Sequence, residues 1–210
     1  MREAEVEYRA HLLAARPDLA TRFGVRGADD RLVPVSEATL GADSTWLAKF
    51  AWRVRSLGGL PMKRRERDRL DTLRARVERE REPHMSGAWR SDPSLYLELG
   101  PRAVIEVSKL PGSGSCARMS YAIARMRLLP EVLRAARVTL RPGDDAEGNY
   151  AIEPWLAAMD SLRAIPARIT RCKDPAREAE LVEADSLALS ACDRFVRFLA
   201  ERRPVDVRNE

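Results

Sequence analysis

The stretch whose residue types and spacing most resemble a binding motif is Gly-Ser-Gly-Ser-Cys-Ala at 112–117. It approximates the Gly-x-Gly-x-x-Ala turn that joins a strand to a helix and presents backbone N–H groups to a pyrophosphate. The preceding apolar residues 104–107 would have to form that strand, but Leu110-Pro111 separates them from the glycines. No Lys-Ser or Lys-Thr follows the glycines, which excludes a P-loop. We therefore interpret 104–107 as helical, predict a hinge at 110–115 and expect no cofactor.

Two histidines, His11 and His84, are the only imidazole groups that could bind a metal or transfer a proton. Glu7 and His11 are four residues apart, which is half of a metal site on a helix. A zinc site needs three or four ligands, and no His-Glu-x-x-His is present. We predict no metal site and no bound zinc, with His11 facing solvent or partly packed and His84 in a loop without a partner.

Cysteine chemistry is equally sparse in this sequence. Cys116, Cys172 and Cys192 form neither a Cys-x-x-Cys pair nor an even set, which favours a reducing compartment over a secreted disulfide scaffold. Cys116 lies near a predicted helix start beside Arg118, which could activate a thiol, but no catalytic histidine can be assigned near it. We predict a free, partly buried Cys116, no catalytic residues and no enzyme activity for the chain alone.

Four arginines, Arg118, Arg125, Arg134 and Arg137, follow the glycine stretch. Arg118 and Arg125 are seven residues apart and would share one helix face, where they could grip a carboxylate or phosphate. The alternative is that they are surface charges whose aliphatic stems pack on neighbours, which the usual solvation of charged helix faces favours. Arg118 and Arg125 are the candidate ligand or partner contacts.

Composition restricts the class of protein. The chain has 210 residues, of which 45% are hydrophobic and 33% charged, enough apolar residues for a sizeable core. The net charge of +5 comes from 37 basic and 32 acidic residues that are interleaved, which argues against a nucleic-acid partner because such binding needs a segregated basic face. No apolar run is long enough to cross a membrane and the N-terminus has no signal-like segment. We expect a cytoplasmic protein without a membrane partner.

Helical periodicity recurs along the chain. Pro17 and Gly58 are predicted to end helices, Ser36 to cap one, and Pro130 to start or kink another. The run 60–83 is highly charged, with one narrow apolar stripe at Leu70, Leu73 and Val77. A long final segment, 175–203, carries a stripe of Leu181, Ala184, Ala188, Ala191, Phe195 and Leu199. With no hairpin signal, the sequence predicts a single all-α domain over 1–210, of about eight helices with a long C-terminal helix.

The order of four segments resembles the N-terminal helical region of the bacterial DUF885 family. They are RPDLATRFGVRGADDRL at 16–32, WRSDPSLYLELGPRAVIEV at 89–107, ARMSYAIARMRLLPEVLRAARVTL at 117–140 and ADSLALSACDRFVRFLAER at 184–202. The resemblance spans Arg16 to Arg202. Members of that family are similar to helical zinc metallopeptidases, whose His-Glu-x-x-His helix lies in a C-terminal portion that nothing here matches.

The resemblance implies the helical region without the zinc chemistry. Our first hypothesis is a non-catalytic helical binding or scaffold module that acts on a ligand or partner. The second is an accessory chain of a split zinc peptidase whose active site another polypeptide completes. The third is a basic, nucleic-acid-associated helical protein.

A missing catalytic portion would leave apolar surface uncovered, and the C-terminal helix is where we expect it. Its apolar residues extend beyond a single stripe, and a helix that is apolar on several faces is normally buried on several faces. The candidate interface residues are Leu187, Leu189, Phe195, Phe198 and Leu199. They predict a homo-oligomer or a partner protein chain.

Overall fold

A computed structural model describes residues 2–111, 114–141, 151–169 and 172–202, and all regular structure in these ranges is helical. The all-α prediction is therefore confirmed. The helices are α1 (Arg2–Ala15), α2 (Pro17–Arg22), α3 (Glu37–Leu57), α4 (Arg64–Met85), α5 (Ala88–Ser91), α6 (Ser94–Leu97), a π-helical turn (Glu98–Arg102), α7 (Ala103–Ser108), α8 (Ser115–Thr139), α9 (Glu153–Arg163), α10 (Ile165–Arg168) and α11 (Pro175–Glu201).

Helix ends follow local chemistry. Pro17 stands at the first position of α2, where a missing N–H costs nothing, and so separates α2 from α1. Ser36 caps α3, since its Oγ accepts a hydrogen bond of 3.0 Å from the Thr39 N–H. Asp174 caps α11 in the same way, accepting from the Arg177 N–H at 3.3 Å.

The structure excludes a helix start at Pro130, one of the two outcomes predicted there, and covers only part of the predicted hinge. Pro130 lies inside the continuous helix α8, whose neighbouring residues Leu129 and Leu133 are buried in the core and hold both halves in one helix. Residues 104–107 are helical, as we interpreted them. Gly114 precedes α8 in an extended conformation, whereas residues 112 and 113 of the predicted hinge lie outside the described residues.

Buried apolar residues form two clusters. The first is built by α1 to α4 and the loop after α2, and includes the predicted stripe Leu70, Leu73 and Val77. The second is centred on the packing of α8 against α11, with α5, α6, α7, α9 and α10 around them. Every residue of the stripe predicted for α11 is buried in this second cluster.

Within the ranges given above, no helix combines the length and the apolar character that a membrane crossing requires.

Candidate functional site

A buried polar cluster lies between α1, α3 and α4, and it joins both histidines to one carboxylate. His11 Nε2 lies 2.7 Å from Asp43 Oδ1 in a hydrogen bond, and His84 Nε2 lies 3.2 Å from Asp43 Oδ2. The side chains of His11, Asp43 and His84 are 8%, 6% and 6% exposed. We call these three residues the His–Asp–His cluster.

Helical spacing places each member of the cluster on an inward face. His11 follows the buried Tyr8 by three residues and precedes the buried Leu12. Asp43 lies three residues after Leu40 and four before Leu47, so it occupies the apolar stripe of α3. On α4 the histidine lies one turn after the buried Glu80. Helix packing that buries these stripes therefore brings the polar side chains together.

Further charged groups surround the cluster. Arg16 binds Asp18 through two hydrogen bonds of 3.1 and 2.9 Å, and its NH1 lies 3.6 Å from Asp43 Oδ2. The Tyr8 hydroxyl donates a hydrogen bond to Glu80 Oε1. The cluster is thus the centre of a larger network that links three helices and the start of α2.

The network shifts the pKa values of its two carboxyl groups, Asp43 and Glu80, in opposite directions. Burial by itself favours the neutral acid, but the contacts with His11 and His84 and the charge of Arg16 outweigh it and hold the pKa of Asp43 well below its usual range. For Glu80 burial prevails over the Tyr8 hydrogen bond, and the pKa of that carboxyl is raised. Asp43 is therefore an ionised acceptor to which each imidazole turns its Nε2.

Three buried atoms of this network have no hydrogen-bond partner among the described residues. They are Asp43 Oδ2, which only lies near His84 and Arg16, together with His84 Nδ1 and Glu80 Oε2. When Nε2 of a neutral imidazole donates to a carboxylate, Nδ1 is left as an acceptor. The network thus retains unused hydrogen-bonding capacity next to the ionised carboxylate.

A cavity of about 310 Å³ opens beside the cluster, and both His11 and Asp43 belong to its lining. The His11 ring stacks on the Trp46 indole, with ring centroids 3.5 Å apart and planes 3° from parallel. Apart from these side chains and Thr39, the lining is apolar and consists of Ala14, Ala15, Val33, Pro34, Leu40 and Ala42. Its size and its few convergent polar groups match the ordinary character of a small-molecule site.

The chemistry that this arrangement offers is hydrogen bonding rather than nucleophilic attack. Among the described residues no serine, threonine or cysteine is hydrogen-bonded to either imidazole. The Thr39 hydroxyl, which lines the cavity, donates to the backbone oxygen of Pro34 at 2.5 Å. The same part of the chain holds no group of three or more His, Cys, Asp and Glu side chains placed to bind a metal ion.

Our prediction for His84 is wrong, because His84 lies inside α4 rather than in a loop and contacts Asp43. His11 is partly packed, one of the two environments predicted for it, and Glu7 pairs with Arg53. The signal that could have located the cluster is Asp43, a carboxylate on the apolar stripe of α3. A charge in that position requires buried partners.

Arg125 is neither an accessible ligand contact nor a surface charge, the two environments considered for it from the sequence. It is 0% exposed, and its guanidinium donates to the backbone oxygens of Ala103, Pro17 and Ala28 at 2.7 to 3.2 Å and to Thr21 Oγ1 at 2.6 Å. Burial lowers its pKa to about 10. Arg125 thus ties α8 to α2 and leaves no surface for a ligand.

Arg118 is half-buried near the start of α8, where its NH2 lies 3.4 Å from Ser115 Oγ. Its proposed ligand contact stays a prediction.

The candidate interface on α11 is mostly internal. Phe195 and Leu199 are 0% exposed and Phe198 is buried, because these side chains pack into the second apolar cluster of the chain itself. Leu189 is partly buried against that cluster, and Leu187 alone among the five residues is exposed. The expectation that this helix leaves its aromatic residues uncovered is therefore wrong, while the oligomer or partner stays a prediction.

The expected free thiol of Cys116 is also wrong. Cys116 forms a disulfide with Cys172, their Cα atoms being 4.7 Å apart, and Cys192 is free and buried. The bond links the start of α8 to the segment before α11. Disulfides are typical of oxidising environments, so this bond argues against the reducing compartment inferred from the odd number and the spacing of the cysteines.

Comparisons with family models, with curated proteins and with solved structures find no significant match to this chain. The DUF885 resemblance accordingly stays a hypothesis that depends on the residues quoted for it.

Proposed function

We propose that this chain is a non-catalytic helical binding module, related to the N-terminal region of DUF885 proteins, whose ligand occupies the cavity beside the His–Asp–His cluster. The observation that supports it is the position of an ionised, buried carboxylate and an oriented imidazole in the wall of an otherwise apolar cavity. Polar groups placed in this way fix the orientation of a ligand, while the apolar wall supplies most of its affinity.

The chemistry of the lining defines the ligand class. Trp46 and the stacked His11 offer flat aromatic surface, and the alanines opposite leave room for a compact ring system. The Asp43 carboxylate is already hydrogen-bonded to His11 and lies 3.6 Å from the Arg16 guanidinium, so the cavity does not require a cationic ligand. The ligand is a small, neutral, largely aromatic molecule with at least one hydrogen-bonding group.

A fragment screen by ligand-observed NMR tests this function. Ala42 is exposed and lines the cavity, so Ala42→Phe fills it without changing the polar cluster. Ala38 is exposed one turn earlier on the same helix and does not line the cavity, so Ala38→Phe is the matched control. We expect neutral aromatic fragments to bind wild type and the control, and Ala42→Phe to abolish binding.

Two results would contradict the proposal. One is a screen without any fragment that binds wild type. The other is a set of bound fragments that Ala42→Phe and Ala38→Phe affect equally, because that would place the ligand elsewhere.

A further inference from the structure

The groove between α8 and α11 contains a second cavity, of about 260 Å³, whose lining carries three arginines and no acidic residue. Arg134 and Arg137 come from α8 and Arg194 from α11. The rest of the lining is apolar and consists of Pro130, Leu133, Ala191 and Phe195.

The spacing of these residues explains why three arginines line one cavity. Arg134 and Arg137 are three residues apart, one turn after Pro130, and therefore share the face of α8 that borders α11. Arg194 precedes the buried Phe195 and stands at the edge of the face that α11 turns toward α8. Packing of the two helices thus produces a basic rim above an apolar floor.

These three arginines are not neutralised within the described residues. Most of the ion pairs there join an arginine to a carboxylate, but none involves Arg134, Arg137 or Arg194. Arg194 donates to Ser190 Oγ at 2.7 Å, and the Arg137 guanidinium carbon lies 5.0 Å from the centroid of the Phe198 ring. Both contacts position a guanidinium and leave its charge uncompensated.

We propose that this cavity binds a phosphate monoester whose organic part is small and apolar. A phosphate monoester carries a charge of about −1.5 to −2 near pH 7 and three acceptor oxygens. Guanidinium groups bind such oxygens in pairs of parallel hydrogen bonds, which suits three arginines around one tetrahedral group. Pro130, which is half-buried and lines the cavity, offers contact surface to the apolar part. This site is separate from the one proposed above and does not depend on it.

Phenyl phosphate is the probe, titrated into the full chain at low ionic strength and followed by two-dimensional ¹H–¹⁵N NMR. We expect saturable binding, with the shifted resonances confined to α8 and α11. Arg134→Gln and Arg194→Gln should each weaken binding by about tenfold, the value of a hydrogen bond to a charged group.

Two controls separate recognition from general attraction. Arg197→Gln removes the same charge from α11, but Arg197 is paired with Asp193 at 2.8 Å and does not line the cavity. It should leave the affinity within about twofold, since exposed ion pairs contribute little. Benzoate, with the same ring, a single charge and a planar head, should bind more weakly than phenyl phosphate.

The absence of saturable binding would overturn the proposal. Equal losses of affinity in Arg134→Gln and Arg197→Gln would also overturn it, because binding would then depend only on the net charge of the chain. Benzoate binding as tightly as phenyl phosphate would contradict the assignment to a phosphate group.

Discussion

Asp43→Asn tests whether one buried carboxylate holds α1, α3 and α4 together. Asparagine keeps the shape of aspartate but accepts hydrogen bonds only through Oδ1, so its Nδ2 would face an imidazole N–H that also donates. At pH 7 the substitution removes the charge from a 2.7 Å hydrogen bond to His11 and leaves the contact at 3.2 Å to His84 unsatisfied. Hydrogen bonds to charged groups contribute about 1.5 to 3 kcal/mol, and an unsatisfied buried group costs about 1 to 3 kcal/mol. After allowance for the relieved burial of a charge, we expect a loss of about 3 kcal/mol.

The loss should depend on pH in a defined direction. The pKa of Asp43 is lower in the folded chain than the value of about 3.9 in an unfolded one, owing to His11, His84 and Arg16. A depressed carboxyl pKa stabilises the fold above the unfolded pKa, and this stabilisation is lost as the pH falls below it. The difference between wild type and Asp43→Asn should therefore shrink by about 1.4 kcal/mol for each pH unit below about 4.

Urea unfolding followed by circular dichroism at neutral pH and near pH 3 measures both quantities. Asp193→Asn is the control, because it makes the same change in an exposed ion pair with Arg197 and should cost less than about 0.5 kcal/mol. A neutral-pH loss below about 1 kcal/mol, or a loss that is the same at both pH values, would refute the role assigned to Asp43.

Four more outcomes are expected in urea unfolding. The disulfide closes a loop with a sequence separation of 56, so replacing Cys116 and Cys172 with serine should lower the free energy of unfolding by about 4 kcal/mol. Equal stability of the oxidised and reduced wild type would contradict this. Burial raises the pKa of Asp185 to about 6, so the folded chain loses stability as the pH rises from about 4 to 6. Asp185→Asn should therefore stabilise the fold by about 2 kcal/mol at pH 8 and not at pH 4. No gain at pH 8 would refute this expectation. Gly114→Ala should change stability by about 1 kcal/mol or less, because φ is −63° and nothing lies within 4 Å of an added Cβ; a larger loss would show an unrecognised constraint. Phe195→Asp should cost at least about 4 kcal/mol by burying an unpaired carboxylate, whereas a folded variant that only dissociates would restore the predicted interface.

The α11 helix shows how far sequence reasoning reaches. Its start at Pro175 and its buried stripe from Leu181 to Leu199 were predicted correctly, because helical periodicity acts within a few residues. The same pattern led to a wrong expectation for Phe195 and Phe198. A helix that is apolar on several faces must be buried, but periodicity does not distinguish burial inside the chain from burial against another chain.

Pro17 and Ser36 marked helix ends from the sequence alone, since each acts on backbone groups next to it. The contact of His11 with Asp43 joins residues 32 apart and therefore required the packing of α1 against α3.

The remaining features were likewise decided by tertiary structure. Arg125 is buried because α2 and α7 present backbone oxygens to it, one of them 108 residues distant in the chain. Cys116 meets Cys172 only once α8 and α11 have packed together. Local sequence determines which face of each helix is apolar, whereas the polar groups that meet between those faces depend on how the helices pack against one another.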